Sequence, residues 1–228
     1  TWSEGANLLS FQWGGESGHG GLPGGITVQD FATNPKKTYK PLDNGSNDSS
    51  HLGVNGEFGL GDWRAAFDLS HKNVNIDSNY VVDDFYSQNK TSSTRGGVRT
   101  WRNFSAEGLT YKFLVGADAE RWSQDRNTNY GNTTVDQSSD ALFGRYELLS
   151  QRQGLSGYVG VRRTQSKRQA QGDYSGQLDV NNQSWDIGLA KTVADGAEVF
   201  ARVGTSFRLA NADEFSCYTY FCPGNTLN

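Results

Sequence analysis

The stretch "VFARVGTSFRLANADEFSCYTYFCPGN", residues 199–225, alternates between apolar and polar residues before it breaks into a polar segment. One face of the alternation is apolar and comprises Val199, Ala201, Val203, Thr205, Phe207 and Leu209. The other face carries Arg202 and Arg208, with Phe200 as the exception. A period of two over about a dozen residues predicts a strand roughly twice the usual ~5–6 residues. Such a long strand with a charged face is unusual for a soluble β-sandwich.

The composition separates the chain from disordered and helical membrane proteins. Hydrophobic residues make up 35% of the 228 residues, and no apolar run reaches the ~18 residues that a transmembrane helix needs. Six Trp, ten Tyr, twelve Phe and 28 Gly, with many Asn, Ser, Thr and Asp, are typical of an all-β protein with polar loops. The net charge of −4 gives no reason to expect nucleic acid as a partner.

The ends and the cysteines add two expectations. The sequence has no Met and no signal peptide, so we interpret it as a piece of a longer chain. Cys217 and Cys222 are its only cysteines, and their spacing favours a local disulfide in an oxidising compartment. A CxxxxC metal site is the alternative, although no His lies nearby.

The alternating pattern recurs in nine segments, at 7–13, 50–60, 63–71, 94–105, 109–121, 141–149, 155–163, 183–191 and 199–209. Short turns are predicted near Gly61-Asp62, Glu107-Gly108, Gln151 to Gly154 and Ala194 to Gly196, recurring about every 45 residues. Long polar connections are predicted at 14–49, 74–93, 122–137, about 166–178, and from 210 onward. Short turns at one end and long loops at the other predict an antiparallel transmembrane β-barrel with periplasmic turns and extracellular loops.

A closed barrel pairs every backbone group in lipid, so a polar sequence can span with an apolar outside and a polar inside. The predicted inward residues are Glu57, Arg64, Asp68, Lys112, Asp118, Glu120, Arg145, Glu147, Arg162, Asp186, Arg202 and Arg208. So many ionisable groups predict a wide, hydrated or plugged interior. Aromatic residues near strand ends fit interfacial girdles: Trp13, Trp63, Tyr111, Tyr146 and Trp185. Because bacterial barrels have an even number of strands, nine segments predict part of a larger barrel.

The opening stretch resembles the TonB-dependent outer-membrane receptors in Phe207-Arg208, Asn211-Ala212 and Glu214. Residues 20–41, "GGLPGGITVQDFATNPKKTYKP", are similar to a loop of the iron-complex receptors, and the final "PGNTLN" resembles the start of that family's next strand. The resemblance covers essentially all of 1–228. It implies that this range is part of the barrel domain of a receptor with about 22 strands, and that the plug domain and the TonB box lie outside this sequence.

The resemblance further implies an active-transport receptor in the outer membrane of a Gram-negative bacterium. Such a receptor binds a ferric siderophore or another metal chelate and imports it to the periplasm with TonB-derived energy. The implied partners are the chelate, the TonB–ExbB–ExbD complex, and outer-membrane lipid or lipopolysaccharide; no cofactor is implied. Two alternatives from other classes are a passive porin or adhesin-like barrel and an outer-membrane hydrolase.

An anionic ferric chelate would be recognised by fixed cations and flat aromatic surfaces. The candidate ligand-binding residues are Arg95, Arg99, Arg121, Trp122, Arg126, Tyr130, Arg163, Arg208, Tyr218 and Tyr220. Alternatively, these cations pair with interior carboxylates and solvate the loops. A Cys217–Cys222 disulfide would hold Tyr218 and Tyr220 outward for contact with the ligand or the plug.

No catalytic or metal site is expected. Neither GxSxG nor HExxH occurs. Asp83-Asp84 is a poor acid pair, because adjacent strand residues point to opposite faces, and a solvated loop is the preferred interpretation. If Leu60 pairs with Trp63, His51 and His71 fall on opposite faces, so we do not expect them to share a metal ion.

Overall fold

The structure is a computed structural model that describes residues 1–5, 7–22, 24–173 and 175–208. Ten antiparallel strands form a single sheet, in which each strand pairs with its neighbours in sequence. The strands are β1 (Trp2–Glu4), β2 (Asn7–Gly21), β3 (Asn44–Leu60), β4 (Trp63–Tyr80), β5 (Phe85–Ala106), β6 (Leu109–Thr128), β7 (Gly131–Ser150), β8 (Leu155–Gly172), β9 (Gly176–Ala194) and β10 (Ala197–Gly204). The predicted all-β, antiparallel class is confirmed.

The predicted short turns are confirmed at 61–62, 107–108, 151–154 and 195–196. Gly61 and Gly108 have φ values of 63° and 79°, a left-handed conformation that glycine adopts without steric penalty. The chain can therefore reverse direction within two residues at these places.

Three of the predicted long connections are mostly strand, so the prediction of long loops there is wrong. β4 and β5 are separated by residues 81–84, β6 and β7 by 129–130, and β8 and β9 by 173–175. The extra strand residues are mostly polar on both sides of the sheet, with isolated apolar residues such as Ile76 and Val135. Backbone pairing needs no apolar face, so hydrophobic alternation does not reveal these extensions. The connection from 210 onward lies outside the described residues.

Strand length follows from these extensions. β2 to β9 have 15 to 22 residues each, whereas a membrane-spanning strand needs only about 9–11. Eight of the nine predicted segments lie within long strands, β2 to β9. The ninth, 199–209, extends beyond β10, which ends at Gly204 after eight residues, so the prediction of a strand of about a dozen residues there is wrong. The three-residue strand β1, which pairs with β2, was missed because it is too short to show a period.

The register separates the residues onto two faces. Phe67, Val98, Ala117 and Leu142 are successive cross-strand partners, and we call their side the apolar face. Asp68, Gly97, Asp118 and Ala141 form the adjacent row on the other side, which we call the polar face. All the predicted inward residues that lie in strands share the polar face, from Glu57 in β3 to Arg202 in β10.

The apolar face is exposed. Trp13, Leu142 and Phe11 have 78%, 67% and 62% of their surface accessible, and the buried hydrophobic side chains of the described residues are only Ala66, Val135, Ala141 and Ala170. No second layer covers the sheet within the described ranges. A contiguous apolar surface of this kind requires apolar surroundings, and lipid supplies them for a transmembrane sheet.

Aromatic rings cluster on the apolar face near the short turns. Phe104 stacks on Tyr111 with ring centroids 4.9 Å apart, Tyr111 lies 6.1 Å from Tyr146, and Trp63 meets Phe113 edge to face at 6.4 Å. Such a band is expected where a lipid-facing surface meets water. The phase predicted for Trp63, Tyr111 and Tyr146 is confirmed.

The connection between β2 and β3 contains the one α-helix of the described residues, α1 (Val28–Thr33). Thr27 caps it, its hydroxyl accepting a hydrogen bond from the Asp30 N–H at 3.1 Å, as expected of an N-cap threonine. No helix in the described ranges is long and apolar enough to cross a membrane.

Candidate functional site

The polar face carries a belt of ion pairs near its middle. The pairs are Glu57–Arg64 at 2.7 Å, Asp68–Arg99 at 3.1 Å, Asp118–Arg162 at 2.6 Å, Arg145–Glu147 at 2.8 Å and Asp186–Arg202 at 3.2 Å. We call these residues the charged belt. Each predicted interior charge in the belt is compensated by a neighbour, so the belt is a hydrated, nearly neutral surface.

Gly97 explains how two carboxylates share one part of the belt. Asp68, Gly97 and Asp118 are successive cross-strand partners, and a β-carbon at Gly97 would lie 3.0 Å from Asp118 Oδ1 and 3.2 Å from Asp68 Oδ1. The missing side chain leaves room for both carboxylates. Arg99 and Arg162 each neutralise one of them.

Beyond the belt, away from the short turns, β5 and β6 bring three predicted ligand residues onto one side. Arg95, Trp122 and Arg126 all lie on the polar face, where their partners are Glu120, Ser93 and Asn89. Arg95 is exposed and donates from Nε to Glu120 Oε1 at 2.8 Å. Trp122 and Arg126 are half-buried. Along a strand rising about 3.3 Å per residue, the three side chains cover about 20 Å; we call them the ligand column.

An aromatic stack ends this column at the hairpin tips. Tyr80 and Phe85 close the β4–β5 hairpin with ring centroids 5.8 Å apart, and Tyr130, in the β6–β7 turn, stacks on Phe85 at 5.8 Å with planes 17° apart. Tyr130 has 74% of its surface exposed. The column and stack together combine cations with flat apolar surfaces, the combination expected for an anionic aromatic or chelate ligand.

The structure does not bring every predicted ligand residue together. Arg99 belongs to the charged belt, paired with Asp68. Arg121 and Arg163 lie on the apolar face, so they do not share a surface with the ligand column. Arg121 holds Asp140 through two bonds of 3.0 and 3.1 Å. Arg208 follows the end of β10.

The C-terminal predictions cannot be placed. Tyr218, Tyr220 and the Cys217–Cys222 disulfide lie outside the described residues.

The expectations about metal and acid sites have clear outcomes. His51 pairs with Lys72 and His71 with Leu52, which confirms that the two imidazoles occupy opposite faces. His71 Nδ1 lies 2.8 Å from the Thr94 hydroxyl. Asp83 and Asp84 lie in the turn between β4 and β5, and Asp83 pairs with Lys40. No group of three or more His, Cys, Asp or Glu residues suited to a metal ion occurs in the described ranges.

The β2–β3 connection is fastened to the distal end of the sheet. Asp43 is 1% exposed, and its Oδ1 accepts a hydrogen bond from the Val82 N–H at 3.3 Å. Lys40 binds Asp83, and this hydrogen bond raises the pKa of Lys40 above its usual 10.5. Within the connection, hydrogen bonds from Lys37, and then from Tyr39 and Thr27, lower the pKa of Asp30 below its usual 3.8.

Sequence reasoning missed Tyr80 and Phe85 as site residues, because the range 74–93 was interpreted as a loop. The signal was present in "NYVVDDFYS", where aromatic residues stand on both sides of an acidic turn. Asp43 left no pattern, because its burial depends on residues nearly forty positions away.

No protein-family model matches the sequence, and no curated protein matches it. Solved structures do match. The ferric citrate transporter FecA in its unliganded form aligns with a TM-score of 0.74 at 10% identity, over 87% of this chain and 33% of that chain. The ferric-catecholate import receptor Fiu from E. coli K12 aligns with a TM-score of 0.68 at 11% identity, over 86% and 40%. The ferric yersiniabactin uptake receptor FyuA from Yersinia pestis aligns with a TM-score of 0.63 at 12% identity, over 86% and 34%.

These likenesses show the fold. The chain has the architecture of the outer-membrane β-barrel receptors, which confirms the resemblance to TonB-dependent receptors at the level of structure, and it spans between 33% and 40% of the length of those three proteins. In such a barrel the apolar face contacts lipid and the polar face lines the interior. The matched proteins are transporters and import receptors rather than enzymes.

Proposed function

We propose that residues 1–228 are part of the barrel domain of an outer-membrane receptor that binds a ferric siderophore or a similar metal chelate. The receptor imports the chelate to the periplasm with energy delivered by the TonB–ExbB–ExbD complex. Lipid and lipopolysaccharide of the outer membrane surround the apolar face.

One observation carries this proposal. The two-faced sheet aligns over 86–87% of its length with three proteins described as a ferric citrate transporter, a ferric-catecholate import receptor and a ferric yersiniabactin uptake receptor. The charges of the belt support an aqueous or plugged interior rather than a packed apolar core, because burying charged groups away from water carries a large desolvation cost even when they are paired.

Within this chain, the ligand column and the aromatic stack form the surface that we assign to the chelate. Arg95 and Arg126 supply permanent positive charge, and Trp122 and Tyr130 supply flat apolar area. Arg99 serves the charged belt, and Arg121 and Arg163 lie on the opposite side of the sheet from the ligand column. The proposed ligand set is therefore smaller than the one expected from the sequence.

The test is uptake of radiolabelled iron by iron-starved cells whose only ferric receptor is the full-length protein that carries this sequence. Ferric citrate and a ferric catecholate are the two probes. We expect saturable uptake of at least one probe, with complete loss when TonB is deleted. Uptake that rises linearly with concentration and survives loss of TonB would indicate the passive porin instead.

A pair of β6 variants then tests the ligand column. Trp122→Ala removes a polar-face ring, and Ser123→Ala changes the next residue, on the apolar face. We expect Trp122→Ala to weaken the binding of the transported probe about tenfold, which corresponds to ~1.4 kcal/mol, and Ser123→Ala to leave it unchanged. Equal effects of the two variants on probe binding would show that the ligand column is not part of the binding site.

A further inference from the structure

Gln137, in β7, is a direct neighbour of the ligand column. It is the cross-strand partner of Trp122 on one side and of Arg168, in β8, on the other side. All three residues belong to the polar face, and residues directly opposite each other in antiparallel strands have their β-carbons about 4.5–5.5 Å apart. The Gln137 side chain therefore stands between the indole ring and the guanidinium.

Arg168 fixes the orientation of the Gln137 carboxamide. Its Nε donates a hydrogen bond to Gln137 Oε1 at 2.9 Å, and its Nη2 donates to the same oxygen. Because a guanidinium has donors but no acceptor, the oxygen of the carboxamide has to face Arg168. The NH₂ group of Gln137 is consequently turned away from Arg168.

The surroundings of Arg168 hold this contact in place. Arg168 is 7% exposed, and its neighbours on the same side of β8, Ser166 and Ala170, are each 2% exposed. Side chains that are packed this closely keep a defined rotamer. A buried cation is a poor source of stability, because its desolvation cost offsets much of the attraction to its partners. Its place here is better explained by the orientation that it imposes on Gln137.

The NH₂ group of Gln137 and the ring of Trp122 are both available to a ligand. Within the described ranges, Gln137 Nε2 has no hydrogen-bond partner, and it is not one of the buried polar atoms that lack one, so water reaches it. No aromatic ring or cation of the described residues stacks on Trp122. The polar face thus presents an N–H donor directly beside a flat apolar surface.

We propose that Gln137 is a further ligand-binding residue and that Arg168 is its positioning residue. Gln137 donates a hydrogen bond from Nε2 to an oxygen of the chelate that lies against Trp122. The recognised atom is an acceptor without a proton, such as a carboxylate or catecholate oxygen, because the acceptor of the carboxamide is already engaged by Arg168. The inference rests on the proposed function, since it assigns new residues to the same site.

The test measures equilibrium binding of radiolabelled ferric citrate and a radiolabelled ferric catecholate to the full-length protein in lipid vesicles. Gln137→Glu keeps an acceptor for Arg168, and its charge strengthens that contact, but the variant replaces the N–H donor with a second acceptor. We therefore expect undiminished resistance to urea, together with about 30-fold weaker binding of the probe that the wild-type protein binds. The matched control is Gln171→Glu, the same substitution at an exposed position on the opposite face of β8, which should leave binding unchanged.

A double-mutant cycle tests whether Arg168 acts through Gln137. Gln137→Met removes both polar groups and should weaken binding about tenfold. Arg168→Met releases the carboxamide and should weaken binding about fivefold by itself, with no further loss when residue 137 has already been replaced. A merely structural role of Arg168 predicts the same loss in both backgrounds. If Arg168→Met does not assemble, the comparison of Gln137→Glu with Gln171→Glu decides.

The outcomes separate this inference from the proposed function. If Gln137→Glu binds the probe as tightly as the wild-type protein, or if Gln171→Glu loses as much affinity, the inference is overturned while the proposed function stands. If the wild-type protein binds neither probe saturably, the proposed function fails and this inference fails with it.

Discussion

The two halves of each hairpin differ in chemistry although their backbones are paired alike. In β6 the turn-proximal half carries Leu109, Tyr111, Phe113, Val115, Ala117 and Ala119 on the apolar face, whereas the distal half carries Arg121, Ser123, Asp125 and Asn127 on the same side. Both halves belong to one uninterrupted ladder. The difference shows that the medium around the sheet, lipid or water, determines which types of side chain a strand carries on that side. Backbone hydrogen bonding maintains the strand in both media.

The largest expected effect comes from placing the same charge in each half. Val115→Arg puts a cation on the lipid-facing side and should lower the free energy of unfolding by ~2–4 kcal/mol. Ser123→Arg places it on the same face eight residues further along β6, where water and Asp136 surround it, and should change stability by less than about 0.5 kcal/mol. Urea unfolding in lipid vesicles measures both.

Similar losses for the two variants would show that the distal half is also in lipid. Gly116, the polar-face neighbour of Val115, is unsuitable as a control, because a β-carbon there would lie 2.7 Å from the Val98 carbonyl oxygen.

The second-largest expected effect concerns the hydrogen bond from the Val82 N–H to Asp43, at the end of the sheet away from the short turns. Asp43→Ala leaves the Val82 N–H without its acceptor, which costs about 1–3 kcal/mol, and we expect faster hydrogen exchange in residues 22–43 with no change in the turn-proximal strands. Asp43→Asn is the matched control, since it keeps an acceptor oxygen while removing a buried charge whose Oδ2 has no partner among the described residues. Equal rates of hydrogen exchange in the two variants would mean that the Asp43–Val82 hydrogen bond does not hold the β2–β3 connection in place.

A third experiment compares one ion pair from each face. Asp118 and Arg162 in the charged belt are 42% and 39% exposed, and Arg121 and Asp140 are 55% and 58% exposed. Double-mutant cycles should give a coupling of about 0.5–1 kcal/mol for the belt pair and about 0.2–0.5 kcal/mol for the other. A larger coupling energy for Arg121–Asp140 would mean that this pair, and not Asp118–Arg162, is the one better shielded from water.

The smallest effect is a pH dependence confined to the β2–β3 connection. The pKa of Lys40 is raised by Asp83, so that contact persists below 10.5 and is lost as pH rises through the raised pKa. The pKa of Asp30 is lowered by Lys37, so that contact persists above 3.8 and is lost as pH falls through the lowered pKa.

A spin label in place of the exposed Lys36 should therefore keep a constant mobility between pH 3.8 and 10.5 and gain mobility outside this window. The same label at exposed Leu60, beside a short turn, is the control and should not respond at either limit. A transition near neutral pH would show that other groups hold the connection.

The contrast between the halves also explains which predictions succeeded. The turn-proximal strands, their phase and the pairing of Leu60 with Trp63 could be predicted, because lipid on one side imposes a period of two on the sequence. The distal extensions could not, because water on both sides imposes none. The sequence groups Arg121 and Arg163 with the cations of the candidate ligand surface, although each is the last residue of a predicted strand segment, 109–121 and 155–163. Because β6 and β8 continue past these arginines, Arg121 points to the same side of the sheet as Ala119. Arg163 likewise points to the same side as Val161.

The strand order bears on how such a sheet is built. Among the described residues, every strand pairs only with the strands before and after it in the chain, so no pairing has to bring together elements that are distant in the sequence, which limits the entropic cost of forming it. Assembly can then proceed by adding one hairpin at a time to a growing edge, without waiting for a distant part of the chain. Evolution can work with the same unit, because inserting or deleting a whole hairpin preserves the direction of every strand that follows. The number of strands in such a sheet can thus change in steps of two, while the polar face and the apolar face keep their types of side chain.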